Sequence, residues 1–201
     1  MNNIDINPHE LVIRIGDELQ QLEEILQNGV QVNGRIKFPW GVIGTADHYR
    51  NILFFVHDYV LRSNLAYTLM LIDVYRWLLD RFDIKGTARE MLIKELISLL
   101  GNMMEAVLKY VVYELGDREK TETQSVGVKR ACSILIEHRI ISQDDKKNLV
   151  WLWSMRNKEH LFTLADKEFQ QYNDEHYQQA LQIWGNLVEA LQNASRDGLI
   201  P

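Results

Sequence analysis

Apolar residues recur along this chain at intervals of three and four over most of its length, the spacing of helices that bury one face. Leu19, Leu22, Ile25 and Leu26 set the pattern first and predict a helix over about Asn7 to Gln27, which Asn28-Gly29 ends. The pattern then lapses. Gly29 to Gly44 holds four glycines, Pro39 and the alternating run Val30, Val32, Ile36 and Phe38, which suits a loop or a small hairpin better than a helix.

From Ala46 to Phe82 large apolar residues dominate, and Ser63-Asn64 is the expected break between two buried helices. Thr87 followed by Glu90 has the form of a capping box, and Leu92, Leu96, Leu99, Met103, Val107 and Tyr110 repeat at helical spacing behind it. A long helix over about Ala88 to Leu115 follows. After Gly116 the stretch Asp117 to Ser125 is polar and mixed in charge, and further helices are expected over about Val128 to His138, Gln143 to Phe162 and Asp174 to Asn193, with a frayed tail after Ala194. In the last helix Tyr177, Leu181, Trp184, Val188 and Leu191 form a core stripe. The predicted fold class is therefore all-α: one helical bundle over 1–201, with four helices expected within 87–192 and the helices of 1–86 preceding them.

Composition permits this. The three prolines, Pro8, Pro39 and Pro201, leave Trp40 to Ile200 free of helix breakers, and 201 residues at 46% hydrophobic content suffice for one substantial core. A formal net charge of -6 argues against coating nucleic acid by bulk electrostatics, although from Asp117 to His160 nine Lys or Arg stand against seven Asp or Glu. Cys132 is alone, so neither an intramolecular disulfide nor a four-Cys zinc site can form within one chain, and no cofactor is implied. The polar start and the lack of an 18-residue apolar run give no sign of export or of a membrane span, and a cytoplasmic protein is expected.

Among residues that could carry chemistry, Arg156 and His160 stand out. Four apart on a helix, they project from one face, with Asn157 beside Arg156. A guanidinium that grips phosphate oxygens in a fork, one turn from an imidazole that moves a proton near neutral pH, suits phosphodiester chemistry without a metal. The competing explanation is structural: an Arg at a helix C-terminus and a His on a half-buried face. His57-Asp58 has the form of a metal-phosphohydrolase dipeptide but lacks the further spaced ligands, so a satisfied helix histidine is expected there. His48, His138 and His176 read as surface or helix-end residues, Lys129-Arg130 and Lys146-Lys147 as solvated faces, and Trp151 and Trp153 as packing residues rather than base-stacking platforms.

The long helix with Gly101-Asn102-Met103-Met104-Glu105 is followed by a polar loop, a short helix ending Glu137-His138-Arg139, the run Trp153-Ser154-Met155-Arg156-Asn157-Lys158-Glu159-His160 and a final amphipathic helix. That order, over roughly Thr87 to Gln192, resembles the HEPN superfamily, with its bundle of about four helices and an Arg-x4-6-His signature, often Asn after Arg, before the last helix. The resemblance implies RNA as the target, acted on by a metal-independent endoribonuclease or bound by an inactive relative. It makes Arg156 the phosphate-contacting cation, His160 the proton-transfer residue and Asn157 the polar neighbour. Lys158 accompanies them, and Glu105 would orient Arg156. It also implies a homodimer, since many members are toxins whose Arg and His meet those of a second subunit; it further implies an antitoxin-type protein partner, and in some members a bound nucleotide. The spacing here is Arg-x3-His, one residue short of the family pattern, and one residue turns a side chain by about 100° on an ideal helix. The alternative is a non-catalytic helical module that binds a protein partner or nucleotide, with Arg156 in a structural ion pair.

Overall fold

The computed structural model describes residues 7–31, 34–116, 125–157 and 172–200. Among these it is all-helical: α1 (Pro8–Gln27), α2 (Ala46–Ile52), α3 (Tyr59–Arg81), α4 (Gly86–Glu114), α5 (Val128–Glu137), α6 (Gln143–Arg156) and α7 (Asp174–Arg196), with no strand. The chain divides into two compact units, Met1–Pro39 and Trp40–Pro201.

The first unit is α1 and the segment after it. Asn7 caps the helix by accepting from the His9 N–H, Pro8 occupies the first turn, and the C-cap Asn28 bonds back to the Glu24 carbonyl at 2.8 Å before Gly29 turns the chain at φ 82°. None of the α1 residues is buried. The described part of the Gly29 to Gly44 stretch is neither helix nor strand, so of the two readings the loop holds there.

In the second unit α4 is the axis, packing against α3, α5, α6 and α7. Its fully enclosed residues include Leu96, Ile97, Leu100, Met104, Val107 and Leu108, so that it is apolar nearly all round, as a central helix must be. The expected break at Ser63-Asn64 is not there. The chain leaves helix at Leu53 instead, because Asp58 caps α3 by accepting from the Leu61 N–H at 2.9 Å, while Leu53, Phe55 and Val56 are buried in the turn before it. Ser63 lies inside α3 and accepts from Arg50 Nε at 3.3 Å.

The start of α4 is also corrected. It begins at Gly86 with Lys85 as an N-cap that makes no side-chain bond, and the Thr87–Glu90 box does not form; Glu90 Oε2 is buried with no partner among the described residues. The expected fraying after Ala194 is overturned as well. Gly198, at φ 70°, lets its own N–H reach the Ser195 carbonyl at 3.2 Å and the Leu199 N–H reach that of Ala194 at 2.8 Å, and Ile200 is then buried.

Candidate functional site

Arg156 is the last residue of α6. The helix is started by a full capping box, in which Ser142 and Asp145 satisfy each other's backbone N–H groups, and its end places a cation against the carbonyl-rich terminus. The expected continuation to Phe162 is not met at the near end: Asn157 is the C-cap, and 158–162 lie outside the described residues. His160 and Lys158 fall in that range, so Arg156, Asn157 and Glu105 are the site residues for which geometry exists.

Those three do meet. The Asn157 Oδ1 accepts from Arg156 Nη1 at 2.9 Å, and Glu105 Oε2 stands 3.5 Å from Arg156 Nη2. A third acceptor comes from α4, where Asn102 Oδ1 takes the Arg156 Nε proton at 2.8 Å. Lys109 Nζ holds the other oxygen of Glu105 at 2.7 Å, so two cations share one carboxylate and the cluster carries a net single positive charge. The Arg156 side chain stays 31% exposed. A guanidinium held by two hydrogen bonds and an ion pair loses much of its rotamer freedom, and its remaining N–H groups keep a preferred direction.

The approach of α6 to α4 at this point depends on Gly101. A Cβ there would come 2.7 Å from Arg156 Cβ and 2.9 Å from its Cγ, closer than such atoms can stand, so the missing side chain is what lets the Arg156 stem lie on α4. Gly101, Asn102 and Lys109 were not singled out by sequence reasoning. A glycine inside an otherwise strong helical run was the one signal that could have drawn attention to them.

The remaining sequence candidates have structural positions. His57 is not in a helix: it lies in the connection between α2 and α3, its N–H donating to the Tyr110 hydroxyl at 2.8 Å, and Asp58 is the cap of α3. That corrects the helix-histidine reading. His48 and His176 sit in the first turns of α2 and α7, and His138 is the C-cap of α5. Trp151 and Trp153 are half-buried against the core, Trp151 with its ring 5.8 Å from that of His176. Lys129, Arg130 and Lys147 are exposed, whereas Lys146 is half-buried and donates to Ser133 Oγ at 2.8 Å.

Cys132 is enclosed in α5, and burial pushes its thiol up to about 11, far from the reactive thiolate range. Among the described residues no three His, Cys, Asp or Glu side chains converge as a metal site would require, and no helix is long and apolar enough to cross a membrane.

Compared with known proteins, the chain matches no family model, no curated protein and no solved structure.

Proposed function

We propose that this chain is a HEPN-like protein that acts on or binds RNA, with Arg156 meeting a backbone phosphate. The observation that carries the reading is the anchoring of Arg156 by Asn102, Asn157 and Glu105 in a partly open cluster of net positive charge. A fork fixed in direction suits the two-oxygen grip on phosphate, and fixing it beforehand lowers the ordering entropy of binding. In the catalytic form of the proposal a 2′-hydroxyl attacks the adjacent phosphorus and gives its proton to His160, Arg156 stabilises the charge that develops on the phosphorane oxygens, and the P–O5′ bond then breaks, leaving a 2′,3′-cyclic phosphate and a 5′-hydroxyl whose oxygen takes its proton from water. A second subunit would complete the site, an antitoxin-type protein would restrain it, and the cytoplasm is its expected compartment.

The test is incubation of the purified protein with RNA in EDTA. The catalytic form expects cleavage that both Arg156→Ala and His160→Ala abolish, each variant keeping its helical circular dichroism; cleavage that survives both substitutions contradicts it.

A second reading has its own support. The Glu105–Arg156 pair is what a non-catalytic helical module with a structural arginine would show, and such a module would bind a protein partner or a nucleotide without cleaving RNA. Loss of stability without loss of RNA affinity in Arg156→Ala favours this module.

A further inference from the structure

One cavity of the second unit does not include Arg156 in its lining. It has a volume of about 620 Å³ and is walled by α2, α3, α4 and α7. It is a cleft open to solvent rather than an enclosed void, and its volume is in the range of small-molecule sites. Its floor is apolar, formed by Leu53, Ile72, Leu100 and Trp184, all buried.

The rim is charged, and its charges are arranged unusually. Asp73 and Arg76 both line the cavity, one turn apart on α3, where opposite charges normally pair with each other. Here they face other groups. Asp73 uses one oxygen, Oδ2, to accept both the Gly44 N–H at 2.7 Å and the Tyr49 hydroxyl, while the Tyr177 hydroxyl near Arg76 donates to Asp80 Oδ1 at 3.3 Å. The two bonds to Asp73 fix that side of the rim in place. Gly44 lies so close to the Tyr49 ring that a Cβ would come 2.7 Å from Cε2, which packs the loop against α2, and its N–H bond to Asp73 ties the same loop to α3.

A second observation comes from the opposite wall. Gly185 sits in the interior of α7 and lines the cavity, yet a Cβ there would meet nothing within 4 Å. Glycine in a helix interior costs about 1 kcal/mol relative to alanine. At Gly101 close packing explains that cost; Gly185 is exposed where it lines the cavity, so a larger side chain there has open space to occupy.

We infer that this cavity is a binding site for a small zwitterion with a large apolar side chain, the chemistry of an apolar α-amino acid or of a short apolar peptide. The remaining Asp73 oxygen receives the ammonium, Arg76 receives the carboxylate, and the side chain lies over Leu53, Leu100 and Trp184. A ligand with one charge alone would leave the opposite rim charge unmatched, and such a mismatch at a polar site discriminates strongly.

The test is binding measured by calorimetry and by thermal shift, using L-phenylalanine, L-leucine and a Phe-Leu dipeptide against 3-phenylpropionate, which lacks the ammonium, and phenethylamine, which lacks the carboxylate. The free amino acids, the dipeptide or both raise Tm, and the single-charge analogues bind at least about tenfold more weakly. Gly185→Leu fills the open space, keeps or raises Tm without ligand, and abolishes binding; Arg76→Gln weakens the carboxylate-bearing ligands and leaves phenethylamine unchanged. The inference is overturned if no zwitterion binds, if the single-charge analogues bind equally well, or if Gly185→Leu binds as wild type does.

Discussion

Four neighbours set the direction of Arg156: Gly101 gives room for the stem, Asn102 and Asn157 accept hydrogen bonds from the guanidinium, and Glu105 faces it as an ion pair at 3.5 Å. Because the clash at Gly101 falls on the root of the Arg156 side chain rather than its flexible end, Gly101→Ala has to push α6 away from α4. Overpacking of this kind destabilises by about 1–3 kcal/mol, which a urea titration of Gly101→Ala against wild type measures; an unchanged midpoint would contradict the close approach. Cys132 gives a prediction in pH. Its thiol is raised by burial from the ordinary 9.0 to about 11, so the fold favours the protonated form. The stabilisation is complete below about pH 9 and is lost as pH rises towards 11, amounting to on the order of 2–3 kcal/mol. Thermal melts of Cys132→Ala and wild type across that range isolate the effect as a smaller alkaline loss in the variant. At this scale the sequence disclosed Arg156, Asn157 and Glu105, because they belong to a readable pattern. It hid Asn102 and Lys109, because a polar residue on a helix surface carries no sign of which neighbouring helix will face it.

Among the elements, the helices legible in the sequence were those whose apolar spacing runs unbroken, α1, α4 and α7 above all. The start of α3 is set by a capping contact, and capping residues are common where no helix ends, whereas α4 begins at Gly86 without any side-chain cap. Ser63-Asn64 looked like a break and is helix, while the cap that divides the run is Asp58. The end of α5 shows the same tertiary authority. Arg139 occupies the left-handed position after the helix at φ 60°, and the Ile140 N–H bonds to the Leu135 carbonyl at 2.9 Å so that Ile140 and Ile141 can turn into the core. Glycine accepts that conformation without strain, and Arg139→Gly is expected to stabilise the protein by about 1 kcal/mol, read as a rise in Tm. The opposite outcome is expected at the start of α6, where Ser142→Ala removes one half of the capping box and lowers stability by about 1 kcal/mol.

At the scale of the whole molecule, charge and architecture pull the functional reading in one direction. The chain is acidic overall, so the proposed affinity for RNA would have to come from a local site rather than from a basic coat, and the cluster of Arg156, Glu105 and Lys109 is the site proposed for it. A contact of this kind has a stated consequence: the dependence of affinity on salt is shallow, because few phosphates are neutralised. The all-helical bundle was legible from periodicity and the absence of proline; the cavity under Asp73 and Arg76 was not, since it is assembled from four helices whose crossing no local pattern records. The central claim, that Arg156 meets a phosphate of RNA, is tested most directly by titrating a labelled single-stranded RNA with wild type and Arg156→Ala in EDTA at low salt. The account predicts that wild type binds and that Arg156→Ala, with its helical content unchanged, binds at least about tenfold more weakly; equal affinity of the two proteins, or no binding by wild type, would contradict it.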